Sequence, residues 1–140
     1  MAVTARYLVD TSASARMNSP MVKDAVGPII AAGVVATTAV LDYESFYSAR
    51  SSGELARLRF ERRATFEYLP TNDEHWQRAL DAQFRLASVG RHRSVGIADL
   101  LTATIAEAHR LTVIHYDSDF NTAATILDFE HRWVAPPGTL

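Results

Sequence analysis

The sequence predicts an α/β fold, a three-layer α/β/α sandwich around a central, mostly parallel sheet. Three observations predict it. Short apolar runs at residues 7–9, 34–36, 66–69 and 112–114 take turns with longer segments of helical periodicity. The central runs show no polar alternation, as expected of strands covered on both faces. The 140 residues, 48% of them hydrophobic, suit one well-filled core, so residues 1–140 are read as one domain.

The elements follow in order. Tyr7, Leu8 and Val9 form a strand that ends at Asp10. Ser12 or Ser14 is placed to cap a short helix, and an apolar helical segment follows Pro20. Gly33 breaks the chain before a second strand at residues 34–36. Thr37 or Thr38 caps the next helix, whose stripe is Val40, Tyr43 and Tyr47. A further helix spans about residues 54–63, with Leu55, Leu58 and Arg62 at helical spacing. A third strand at residues 66–69 stops at Pro70. Thr71, Asn72 and Asp73 start a helix whose stripe is Trp76, Ala79, Leu80, Gln83, Leu86 and Ala87. Gly90 closes it, and a basic loop follows. Residues 97–109 form a helix with apolar residues on most sides, residues 112–114 a fourth strand. A last helix begins at Asp119 or Asn121 and runs to about Leu127, and Trp133 and Val134 form a final strand. Strands alternating with helices imply right-handed parallel crossovers.

Composition narrows the chemistry. No cysteine is present, which removes disulfides, zinc–thiolate sites and thiol catalysis. The five histidines lack ligand spacing, so a metal site here needs oxygen donors and a hard cation such as Mg2+ or Mn2+. A net charge of −2 argues against coating nucleic acid by bulk electrostatics, though not against a nuclease whose acidic site lowers the sum. Thirteen of the fourteen basic residues are arginine, the side chain suited to bidentate phosphate contacts. No apolar run reaches the length of a membrane span, and the N-terminus lacks a signal-peptide layout, so a cytoplasmic protein is expected.

The acids carry the information. Asp10 follows the first strand directly and Asp117 the fourth, and ligands of open parallel sheets bind at such carboxyl ends. Glu44 lies on the helix after the second strand. Asp99 is embedded among apolar residues at a helix start, where an ionised carboxylate is costly unless a shared cation compensates it. Singly, each has a plain structural reading. Asp10 can begin a turn, Glu44 can be a solvated helix residue, and Asp99 can complement a helix N-terminus for about 0.3–1 kcal/mol. Asp119 is open to two readings, metal ligand or helix cap. The joint pattern favours one shared cleft.

These residues resemble the motifs of the PIN-domain family, and within it the VapC toxins of type II toxin–antitoxin modules. Asp10 with Thr11 and Ser12 is similar to the family's opening motif, and residues 38–44, ending in Glu44, to its second. Residues 96–103 around Asp99 resemble the third motif, and residues 113–120, with Asp117, Asp119 and Phe120, the fourth. His115 and Tyr116 depart from the Thr and basic residue that many members carry before the last acid.

The resemblance implies a Mg2+-dependent endoribonuclease, with Mn2+ as a substitute. Asp10 and Asp99 would hold the metal, with Glu44 and Asp117 completing the shell directly or through water. Ser12 would orient a water or a phosphate. The loop residues Arg91, His92 and Arg93 would guide the RNA backbone. It further implies a tRNA or rRNA loop as target, arrest of translation, a 5′-phosphate and a 3′-hydroxyl as products, neutralisation by a VapB-type antitoxin whose tail occupies the active site, and a homodimer. The aromatic stretch of residues 43–48 suits a dimer or antitoxin surface, or core packing. Two other readings compete: a catalytically idle PIN-like binding module, which should have lost an acid, and an aspartyl-phosphate phosphotransfer domain. The latter wants a second Asp where Ser12 stands and a late lysine, whereas the one lysine is Lys23.

Overall fold

A computed structural model describes residues 2–140. The elements run β1 (Tyr7–Val9), α1 (Thr11–Ser14), α2 (Pro20–Ala31), β2 (Val35–Thr37), α3 (Ala39–Phe46), α4 (Ser52–Thr65), β3 (Glu67–Tyr68), α5 (Asp73–Ala87), α6 (Ile97–His109), β4 (Thr112–His115), α7 (Asp119–Ala123) and β5 (Glu130–Trp133). The five strands lie in the order β3-β2-β1-β4-β5 and every pairing is parallel. From β1 the chain builds outward through β2 and β3, then returns to the other side of β1 for β4 and β5. The reversal falls between β1 and β4, whose carboxyl ends therefore border a crevice.

Both sheet faces are covered, as the unbroken apolar strands require. On one face Leu8, Ala36 and Val113 pack with Leu41 of α3 and Ile105 and Ala106 of α6. On the other, Val9, Val35 and Ile114 pack with Ala13 of α1 and Val22 and Val26 of α2. The helix α6 is the central post, buried continuously from Leu100 to Ala106 and packed against α3, α5 and α7. No helix of the described residues is long and apolar enough to cross a membrane.

Local signals explain the boundaries. Gly33 and Gly90 take φ of 71° and 73°, a left-handed conformation that glycine adopts without a Cβ clash. Thr38 caps α3 by accepting from the Leu41 N–H, and Asn72 caps α5 in a reciprocal box with His75. Five expectations are corrected. Asp10 caps α1, not Ser12 or Ser14. The last helix ends at Ala123 and is followed by turns, and the last strand precedes Val134. In α3 the buried positions are Leu41 and Asp42, while Tyr43 and Tyr47 are 67% and 82% exposed. In α5 the buried face is His75, Ala79, Ala82 and Leu86, and Trp76 and Leu80 stand outside it.

The helix α4 has no buried residue. It is held instead by charge: Arg62 Nε donates to Asp42 Oδ1 at 2.8 Å and its Nη2 to Thr37 Oγ1 at 3.0 Å. Asp42 is only 4% exposed, so this ion pair is largely withdrawn from water.

Candidate active site

Asp10 ends β1 and caps α1, so its position is set twice. Its Oδ2 accepts the Ser12 N–H at 3.0 Å, and its side chain is 4% exposed. The Ser12 Oγ accepts the Tyr116 N–H at 2.9 Å, so this residue links the ends of β1 and β4 while its N–H holds Asp10.

At the end of β4 sits an arrangement that the sequence reading missed. His115 is fully buried between Phe120, His131 and Trp133. Its Nδ1 accepts the Asp117 N–H at 3.1 Å, and its Nε2 lies 2.9 Å from His131 Nδ1. An accepting Nδ1 carries no proton, so Nε2 holds the proton and donates it to His131. Burial first, then the neighbouring His131, pushes the His115 pKa down to about 4. The neutral ring anchors the backbone that presents Asp117. Its departure from the common family residue was the available signal, and its cause needed His131 from the next strand.

Asp117 Oδ1 accepts the Asp119 N–H at 2.9 Å, while Ser118, at the cap position, makes no side-chain cap. The capping bond at this helix start therefore comes from Asp117. Asp119 lies beside Asp99. Asp99, Asp117 and Asp119 each offer an oxygen within 4.8 Å of the others. Glu44 reaches in from α3 with Oε1 accepting the Thr11 hydroxyl at 3.1 Å.

The electrostatics report one site. Asp99 is pushed up to about 8, chiefly by burial and then by Asp10, Asp117, Asp119 and Glu44. Asp10 is raised by burial, a rise opposed by its bonds to Ser12 and added to by Asp117. Glu44 is raised by burial and by Asp10, and Asp119 by burial and by Asp117. Among the described residues, none of the five forms an ion pair with an arginine, lysine or histidine. Asp99, Asp117 and Asp119, crowded together without a cationic side chain, fit a hard divalent cation whose charge would relieve the repulsion; Asp10 and Glu44 lie outside that group and act on it through their charge. Arg91, His92 and Arg93 are exposed in the loop before α6, and no described hydrogen bond or ion pair joins their side chains to the acids. A groove of about 580 Å³ opens beside Thr11 and Glu44, walled by Met17, Val26, Ile30, Leu58 and Phe66.

Comparison with known proteins agrees with this geometry. The family model described as PIN domain matches residues 7–126. The chain is 41% identical over 137 residues to Ribonuclease VapC21 of Mycobacterium tuberculosis, covering 98% of this chain and 99% of that protein. It is 40% identical over 135 residues to Ribonuclease VapC51 of the same organism, covering 96% and 97%. Among solved structures it resembles VapBC-5 of Mycobacterium tuberculosis, a member of the VapBC family of toxin–antitoxin systems. The TM-score there is 0.61 and the identity 25%, over 92% of this chain and 98% of that one. DNA-bound VapBC from Salmonella typhimurium shares the fold, with TM-score 0.71 and 15% identity over 94% and 99%.

Proposed function

The chain belongs to the PIN-domain family, within its VapC branch, and from that premise we propose that it is a Mg2+-dependent endoribonuclease toxin held in check by a VapB-type antitoxin. The single observation that carries the reading is Asp99, driven up to about 8 by burial and by four other acids, with no basic side chain to offset them. Such a site is poorly stable empty and strongly stabilised by a cation.

Asp99, Asp117 and Asp119 would hold Mg2+, with Asp10 and Glu44 acting directly or through water; Mn2+ would substitute. When bound, the cation makes a water more acidic and neutralises charge on the scissile phosphate. The chain's own residues do the positioning. Ser12 and the Tyr116 N–H lock Asp10 across the strand ends, and Thr11 steers Glu44 toward it. The buried His115–His131 pair fixes the backbone of Asp117. The loop of Arg91, His92 and Arg93 supplies backbone contacts that guide an RNA strand. Unstacked bases in a tRNA or rRNA loop suit this shape of site, and cleavage there would arrest translation. The antitoxin's tail lies in the apolar groove and reaches the acids at Glu44, and the toxin works as a homodimer.

The test is cleavage of structured RNA by the purified chain. Activity should vanish in EDTA and return with Mg2+ or Mn2+, and Asp10→Ala should abolish both cleavage and growth arrest in a bacterial host. Undiminished cleavage by Asp10→Ala would refute the assignment.

A further inference from the structure

One arginine is built into the ends of β1 and β4. Arg16 lies just after α1, and its Nη1 donates to the Ser12 carbonyl at 3.3 Å. Its guanidinium carbon stands 4.7 Å from the centre of the Tyr116 ring. Tyr116 is held in turn. Its N–H donates to Ser12 Oγ at 2.9 Å, and its ring meets Trp133 of β5 edge-on, with centres 5.5 Å apart. The Trp133 indole N–H donates to Asn121 Oδ1 at 3.1 Å, which ties the platform to α7. Arg16 and Tyr116 are both half-buried. The guanidinium is therefore oriented by a carbonyl and by a ring that is itself fixed. The acids lie one residue away on each side: the Ser12 N–H holds Asp10, and Asp117 directly follows Tyr116. Yet among the described residues Arg16 forms no ion pair, whereas Arg62 and Arg63 pair with Asp42 and Arg78 with Glu107.

We propose that Arg16, laid on the Tyr116 ring, binds the RNA phosphate next to the scissile one and so sets the register of the strand over the acids. The proposal deepens the ribonuclease reading and rests on it. Charge balance calls for such a group. Asp10, Glu44, Asp99, Asp117 and Asp119 meet an incoming strand with negative charge, and a cation among the last three answers only the phosphate it touches. The neighbouring phosphate needs a cation of the chain's own. The chemistry of the side chain fits. A guanidinium carries five N–H donors in a planar fork, and the Ser12 carbonyl takes one of them. The rest of the fork matches two phosphate oxygens. Stacking on an aromatic ring holds that plane without using a donor. An arginine that served to steady the acids would be paired with one of them. This one is anchored beside Asp10 and Asp117 and pairs with neither, so its charge is left for a ligand. The ligand is a separate matter from the antitoxin's tail: the apolar groove is lined by the neighbouring Ala15 and Met17 and not by Arg16.

The probe is a short fluorescein-labelled single-stranded RNA, with binding to the full chain read by anisotropy in EDTA, where no cleavage intervenes. Arg16→Ala should bind about tenfold more weakly, the size of one charged hydrogen bond. Its log–log salt dependence should be shallower by about 0.7, one phosphate contact fewer on a single strand. In Mg2+ the KM for cleavage should rise by the same factor with kcat unchanged, because the contact is made alike to substrate and transition state. Arg110→Ala removes the same charge from the exposed residue that ends α6, at the opposite end from Asp99, and should leave slope and KM as they are. If Arg16→Ala fails to fold, Arg16→Lys decides in its place: it keeps the charge and loses the fork, so binding should weaken with the slope unchanged, and wild-type binding would overturn the proposal. Wild-type affinity, KM and slope in a folded Arg16→Ala overturn it too, and so does a loss that Arg110→Ala matches. Binding that depends on Arg16 in a chain that cleaves no RNA would sink the ribonuclease reading and leave this contact standing. Cleavage indifferent to Arg16 would do the reverse, and a wild type that neither binds nor cleaves overturns both.

Discussion

Replacing Asp99 by Asn should make the metal-free protein more stable. The folded protein holds this carboxyl near 8, against 3.8 for a free one. Being raised, it binds its proton in the folded state and releases it on unfolding. Its stabilising effect is complete below about 4, is lost as pH rises toward about 8, and is level beyond that. One pKa unit is worth about 1.4 kcal/mol, so the full span from 3.8 to about 8 sets a ceiling of about 6 kcal/mol on the strain above pH 8. The carboxyl is only partly buried, and water and side-chain relaxation relieve much of this; about 2 kcal/mol is the expected gain for Asn. In a chain of this size that raises the melting temperature by roughly 8 °C. The assay is thermal unfolding in EDTA at pH 4, 6 and 8, comparing wild type with Asp99→Asn. The two should melt together at pH 4 and diverge by pH 8. Mg2+ should then close the gap by stabilising the wild type alone, by about 2.7 kcal/mol at a hundredfold excess over its dissociation constant. A variant that melts at or below the wild type at pH 8 in EDTA, or a gap indifferent to pH, would refute the crowded-carboxylate argument.

Two further outcomes follow from the site and its support. Asp117→Ala should cost about 1 kcal/mol of stability, because it removes the bond to the Asp119 N–H, and should abolish cleavage; Asp119→Ala should abolish most cleavage with no loss of melting temperature in EDTA. Arg62→Ala should cost about 3 kcal/mol in urea unfolding, since it strands the buried Asp42, and the double variant Arg62→Ala with Asp42→Ala should recover part of that loss.

Much of this molecule can be read from its sequence, and the parts that cannot share a cause. Strand positions and the sheet's parallel character follow from apolar runs and the alternation of elements, which are local properties. Asp10 declares itself because it directly follows such a run, and Asp117 because it lies just beyond the end of another. Periodicity also finds the apolar stripes of α3 and α5, but it cannot say what covers them. Tyr43, Tyr47, Trp76 and Leu80 satisfy a helical stripe as well when they face another molecule as when they face the core. Asp42 looks like an ordinary helix acid, because the arginine that justifies its burial is twenty residues away in sequence. His115 looks like a mere variant, because its partner His131 lies on the next strand.

The pair at residues 117 and 119 shows how such distant partners change a local reading. Taken alone, an acid at the first position of a helix is a cap, and an acid at a strand end is a ligand. The fold sets Asp117 where both tasks can be met: its Oδ1 accepts from the Asp119 N–H while its carboxylate lies within 4.8 Å of Asp99. A carboxylate has two oxygens, so capping leaves one for a cation. Asp119, freed from capping, lies beside Asp99 and adds another donor. The capping bond and the crowding of three acids thus arise from one turn, and a change at Asp117 must register in both stability and cleavage, whereas a change at Asp119 must register in cleavage alone.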